Sequence, residues 1–170
     1  MPEKITLRAV EPEDLEFFYK YENSHSLWAF GQRREPFSKF ALKEYINSCD
    51  KTVYERGQLR FMIVENGNNT TVGTIDLSDF DYHNQRAEVG LFIVEEFRNQ
   101  GFAERALKLL VDYAFNFLHI HQLYAFVAKE NQSSVNLFVK TGFDYSAELK
   151  DWFYHSKKYQ TVVFFQKIFV

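Results

Sequence analysis

Residues Val94 to Phe115 read VEEFRNQGFAERALKLLVDYAF, in which the end of an apolar strand, a short polar segment and a helix-period run follow one another directly. After the polar segment, and running past the end of this stretch, Leu107, Leu110, Val111, Ala114, Phe117 and Leu118 recur at the spacing that places side chains on one helical face. Before it, RAEVGLFIVE (Arg86 to Glu95) has the character of a strand. The residues Arg98, Asn99, Gln100, Gly101, Phe102 and Ala103 therefore join a strand to an amphipathic helix. At such a junction unpaired backbone N–H groups converge and the helix dipole adds positive potential, so the spot suits an anion. Gly101 lets the backbone approach closely, and Ala103 leaves the next approach unobstructed. An ordinary tight connection would use the same residues. The chain holds neither G-x-x-x-x-G-K-S/T nor G-x-G-x-x-G, so a metal-bound triphosphate and the dinucleotide fingerprint both drop out. A pyrophosphate without metal remains, and coenzyme A carries one.

Working outward, ITLRAV (Ile5 to Val10) reads as a strand, and EPEDLEFFYKYEN opens a helix with Pro12 at its first position. A second helix is predicted over about Phe37 to Cys49, with Ser38 as its cap; the stretch Asn23 to Pro36 has no regular period. Strands follow at Arg60 to Glu65, Thr71 to Leu77 and Arg86 to Glu95, the first two joined by NGNN, which carries the Asn-Gly hairpin signal. This is an antiparallel meander. Gln122 to Ala128 is the next strand, and reached through a helix it lies parallel to the strand ending at Val94. A short helix from about Ser133 to Thr141 stops at Gly142, suited to a left-handed residue past a helix end. Two terminal strands, near Tyr145 to Phe153 and Gln160 to Phe169, turn at HSKK.

Length and the lack of a Pro/Gly/Ser-rich linker fit one domain over residues 1–170. Nineteen Phe and ten Tyr predict an aromatic core and aromatic-lined pockets, which suit an organic ligand. No apolar run is long enough to span a membrane and MPEKITLRAV lacks the apolar core of a secretory signal, so a cytoplasmic protein without membrane partners is expected. A net charge of −3 with no basic stripe argues against nucleic acid. Acids gather at Glu11, Glu13, Asp14 and Glu16, read as helix N-terminal charge, and at Asp76, Asp79 and Asp81, where solvated loops and attraction of a cationic substrate are equally good accounts. Cys49 is the only cysteine and reads as packing. His119 and His121 lie two apart without a recognisable third ligand, so no metal site is predicted. The tail VVFFQKIFV fits either a buried terminal strand or packing across a dimer, and a homo-oligomer is expected.

The loop Arg98 to Ala103 and the later ENQSSVNLFVKTGF together resemble the GNAT acyltransferase superfamily. Its acetyl-CoA loop has Gln or Arg, two residues of any kind, Gly, any residue, then Gly or Ala; its second segment, N-x-x-S-x-x-L-Y/F-x-x-x-G-F, appears here as Asn131, Ser134, Leu137, Phe138, Gly142 and Phe143. The resemblance is greatest to the branch that holds spermidine/diamine and ribosomal-protein N-terminal acetyltransferases. It implies an α/β (α+β) fold with a mixed, mostly antiparallel sheet of about seven strands, a splayed parallel pair at the cofactor site and helices on both faces. It also implies transfer of acetyl from acetyl-CoA, as co-substrate, to a primary amine such as spermidine in a ternary complex. Acetylation of a protein N-terminus and a non-catalytic CoA-binding module are the alternatives.

On that resemblance the loop binds the cofactor through Arg98, Asn99, Gln100, Gly101, Phe102 and Ala103. The strand amides of Phe92, Ile93 and Val94 polarise the thioester carbonyl, and Asn131 and Phe138 complete the cofactor contacts. Glu88, on the strand leading to the cofactor, is the candidate base acting through a water; an exposed charge pairing with Arg86 is the plainer reading. Many members carry tyrosine, a general acid, where this chain has Phe138. Ser134 is therefore the candidate acid, against helix capping or a first-turn hydroxyl, and Tyr145, Tyr154 and Tyr159 are other hydroxyls.

Overall fold

The computed structural model describes residues 4–24 and 35–169. Most of the aperiodic stretch between Asn23 and Pro36 thus lies outside the described residues. The strands are β1 (Ile5–Ala9), β2 (Leu59–Glu65), β3 (Thr70–Asp81), β4 (Arg86–Ile93), β5 (Gln122–Ala128), β6 (Asp144–His155) and β7 (Lys158–Ile168). The α-helices are α1 (Leu15–Glu22), α2 (Lys39–Asn47), α3 (Val53–Arg56), α4 (Phe102–Asn116) and α5 (Gln132–Lys140). The strands form one sheet in the order β1-β2-β3-β4-β5-β7-β6. Every neighbouring pair is antiparallel except β4 and β5.

Alternation along the strands divides the core between two faces. On one, Ile63, Ile75, Leu77, Leu123, Val163 and Phe165 meet the apolar stripe Phe102, Ala106, Leu107, Leu110 and Ala114 of α4, together with Phe138 of α5. On the other, Met62 and Val64 of β2 pack against Phe18 of α1 and Leu42 and Ile46 of α2. The helices lie on both faces, as the family resemblance implies.

Local signals account for most element ends. The Ser38 hydroxyl accepts from the Ala41 N–H and starts α2. Gly142 takes a φ of +79° after α5. Three details differ from the sequence reading. Pro12 opens a 3₁₀ turn over Pro12–Asp14, and α1 begins at Leu15; the buried Asp14, read as a helix-end charge, pairs with Arg8 at 2.7 Å. Helix α3, absent from the reading, rests on the capping box of Thr52 and Glu55. Phe117 is no part of the buried stripe: α4 ends before it, and its ring is 69% exposed and stacked on Tyr113. The apolar tail belongs to β7, an interior strand between β5 and β6 with Val162, Val163 and Phe165 fully buried. Burial therefore accounts for its composition without a second subunit.

Among the described residues no helix is long and apolar enough to cross a membrane.

Candidate active site

The parallel strands β4 and β5 pair only at Arg86–Gln122, Ala87–Leu123 and Glu88–Tyr124. Beyond that last pair they part, while β4 stays in register with β3 to Ile93 and β5 with β7 to Ala128. The sheet thus opens into a fork with Glu88 and Tyr124 at its vertex.

Strand alternation decides which backbone groups face the opening. The Val94 N–H donates to the Val72 carbonyl at 2.9 Å, toward β3. Two residues earlier, the N–H of Phe92 points the same way. Of Phe92, Ile93 and Val94, only Ile93 therefore directs its amide into the fork, together with Leu91, which the sequence reading did not single out. The Ile93 carbonyl accepts from Arg98 Nε at 3.1 Å, tying the loop to the fork's edge. On β5 the Gln122 N–H donates to Gln85 on the β4 side. By the same period Phe126 and Ala128 face the opening. The Ala128 carbonyl is occupied by the Asn131 N–H at 2.8 Å.

At the open end, the 3₁₀ turn Glu95–Phe97 leads into the loop, and Asn99 and Gly101 both take positive φ, 60° and 80°. Gln100 reaches back to the Glu96 carbonyl, and Arg105 Nη1 donates to the Gln100 carbonyl at 3.3 Å. No side chain caps α4 at Gly101. Phe102, Ala103 and Glu104 follow as its first turn, so their N–H groups have no carbonyl partner within the helix. A Cβ at Gly101 would meet Arg105 Nη1 at 3.4 Å. Arg105 is a loop-bracing residue that no motif had marked.

Asn131 caps α5, its Oδ1 accepting from the Ser134 N–H at 3.2 Å and the Ser133 hydroxyl at 2.9 Å. The cap is thus a different residue from Ser134. Ser134 is half-buried, and its hydroxyl makes no hydrogen bond among the described residues. Phe138 is 5% exposed, stacked on Phe165 and edge-on to Phe143.

Glu88 is half-buried and does not pair with Arg86, which holds Asp81 at 3.1 Å. Burial raises the proton affinity of Glu88, and the charges of Asp79 and then Asp76 raise it further. Asp76 lies over β4, where Gly90 leaves room: a Cβ there would meet its Oδ2 at 2.7 Å. Its counter-charge is Arg60, 3.6 Å away and itself 2.7 Å from Glu22. Asp79 accepts the Tyr124 hydroxyl at 2.5 Å. By register, Glu88, Gly90, Phe92 and Tyr124 share the face carrying α1, whose Tyr21 ring lies 5.6 Å from that of Phe92. Helices α4 and α5 occupy the other face. His119 and His121 sit apart from the fork at the α4–β5 turn, and among the described residues no three His, Cys, Asp or Glu gather as a metal set.

Residues 4–144 match the family model described as acetyltransferase (GNAT) domain. The spermidine N(1)-acetyltransferase of Escherichia coli K12 is 30% identical over 94% of this chain and 83% of its own length. That of Vibrio cholerae is 31% identical over 95% and 91%. A crystal structure of the Vibrio cholerae spermidine N-acetyltransferase in complex with CoA and spermine superposes with a TM-score of 0.88 at 27% identity, covering 97% of this chain and 95% of that one.

Proposed function

Because this chain belongs to the acetyltransferase (GNAT) domain family and is an N-acetyltransferase of it, we propose that it transfers acetyl from acetyl-CoA to a primary amine of the polyamine class, such as spermidine. The observation that carries this reading is the parting of β4 and β5 directly beyond Glu88. The open edges suit an amide-rich arm laid in as an extra strand, held by backbone groups of Leu91, Ile93, Phe126 and Ala128. The uncapped start of α4 suits a pyrophosphate, with Arg98 to Ala103 around it. When bound, acetyl-CoA supplies the activated acetyl group at its thioester.

The remaining chemistry falls to the chain's own side chains. An alkylammonium holds its proton to near pH 10, so the site must remove that proton before attack. Glu88, at the vertex, takes it directly or through one water. The Ile93 N–H is aimed to polarise the carbonyl that is attacked. Ser134, whose hydroxyl makes no hydrogen bond among the described residues, returns a proton to the departing thiolate.

The acceptor class rests on charge and on kinship. Glu88, Asp79 and Asp76 put three carboxylates on or beside the acceptor face of the fork, a poor setting for anions and a good one for a polycation. The relatives at 30 and 31% identity are named for spermidine. Thiol release from acetyl-CoA is the test, with spermidine, spermine, simple diamines and peptides with free N-termini as acceptors. Release with the polyamines is expected. Release with peptides alone would move the assignment to protein N-termini, and CoA binding without release to any acceptor would make the chain a CoA-binding module.

A further inference from the structure

Tyr124 and Asp79 belong to strands that are not neighbours. β4 runs between them, so their hydrogen bond crosses two inter-strand spacings, roughly 9–10 Å of sheet. It passes over β4 at the level of Glu88, which is the register partner of Tyr124 on one side and of Ser78, next to Asp79, on the other. The contact is built at a backbone cost. Asp79 has a φ of 48°, at the bulge where the β3–β4 register shifts between Ser78 and Asp81. An L-residue is held in the left-handed region only where surrounding contacts fix it, and here the bulge turns the carboxylate toward β5. Tyr124 is 7% exposed, with its ring among Phe126 and Phe164.

The hydroxyl's single proton goes to Asp79, so the oxygen keeps its acceptor capacity free. Burial, then the Asp79 hydrogen bond and charge, then the charge of Glu88 hold the phenol well above its ordinary range, so it stays protonated throughout the working pH. Held protonated, Tyr124 is no base for this reaction, and its proton is committed to Asp79. It is a fixed acceptor beside the residue that takes the proton.

We infer that Asp79 and Tyr124 form a clasp at the vertex of the fork that positions the acceptor amine, the Tyr124 oxygen receiving one N–H while Glu88 receives the proton to be removed. The clasp also fixes where the strands part, since pairing ends at the residue it holds. The inference rests on the amine-acetyltransferase reading. Among the described residues, the charged groups around Glu88 are Asp76 and Asp79 from β3, the former paired with Arg60 of β2, which Glu22 of α1 also holds; Arg86 on its own strand is committed to Asp81; from β5 Glu88 meets the neutral Tyr124.

Two variants separate the parts of the clasp. Tyr124→Phe keeps the ring and removes the oxygen. It should lower kcat/KM for spermidine about tenfold, the worth of one hydrogen bond to an amine, with the KM for acetyl-CoA and the acid limb of the pH profile near those of the parent. Asp79→Asn keeps an acceptor for the hydroxyl and a residue at ease with positive φ, and removes a charge. Through the lost charge it should raise the spermidine KM, and it should move the acid limb of kcat/KM, and the ¹³C-NMR titration of the Glu88 carboxyl, to lower pH. A purely structural contact would lower the melting temperature and move neither profile. Turnover by the parent with both variants kinetically unchanged overturns the clasp alone. Failure of the parent to acetylate any amine overturns the function reading and the clasp's role together.

Discussion

Glu88 holds its proton more tightly than a free carboxyl because burial and the neighbouring Asp79 and Asp76 charges disfavour its anion. The sign matters twice. As a base it must be deprotonated, so kcat/KM should rise with pH through a carboxyl titration displaced upward from the ordinary glutamate range, and Glu88→Gln should lose about 10²-fold or more of turnover with acetyl-CoA affinity intact. For stability, a raised folded pKa costs nothing below the unfolded value. The cost develops as pH rises through the two pKa values and is complete above the folded one. Glu88→Gln should therefore melt higher than the parent at pH 7 and alongside it at pH 4, which thermal scans at the two pH values would check. At Ser134, the proposed acid role predicts that Ser134→Ala lowers kcat by about 10²-fold without changing the acetyl-CoA dissociation constant, read by single-turnover kinetics and calorimetry. Unchanged turnover would return the serine to a plain role in the first turn of α5.

The elements that bring these residues together were unevenly legible. Strand β5 was readable to the residue, since QLYAFVA is bounded by a polar turn and by Lys129-Glu130-Asn131, and the anion loop followed from an apolar strand running into an amphipathic helix. Facing was harder. That Val94 spends its amide on Val72 depends on β3–β4 register, which a bulge resets, and that Tyr124 stands beside Glu88 depends on β4–β5 register, which no local signal encodes. Phe117 failed for a related reason: it continues the helical period of α4 one residue past the point where the helix ends. Gly101, at the start of α4, allows a test at this scale. Its φ of 80° makes Gly101→Ala strained by about 1 kcal/mol, and the added Cβ comes into contact with the Arg105 guanidinium that braces the loop. Gly101→Asn tolerates that φ better yet still projects atoms from the anion-facing turn. The alanine variant should melt lower than the asparagine variant, while both weaken acetyl-CoA binding about tenfold in calorimetry. Parent-like affinity in both would remove this loop from the cofactor site.

Across the whole molecule, the fork divides the sheet into two blocks, β1 to β4 and β5 with β7 and β6, which pair with each other at only three residue positions. Beyond that pairing they are joined by the Asp79–Tyr124 hydrogen bond and by the core beneath, where α4 and α5 lie on one face of both blocks. The proposed cofactor site draws on each block: Leu91, Ile93 and the loop Arg98 to Ala103 follow from β4, while Phe126, Ala128 and Asn131 follow from β5. A ligand laid between them adds contacts across the seam at which the sheet has fewest of its own. It binds the folded chain and not the unfolded one, so at 100 times its dissociation constant it should add about 2.7 kcal/mol of stability, or a rise in melting temperature of about 5–10 °C for a chain of this size. CoA should produce that rise without any amine present, and spermidine alone should produce less, because its proposed contacts, Glu88 and the Tyr124 oxygen, gather at the vertex where the blocks are already paired. Differential scanning fluorimetry over a CoA titration reads both. A flat response to CoA, with the parent folded, would mean that the open seam between the two blocks is not where the cofactor binds.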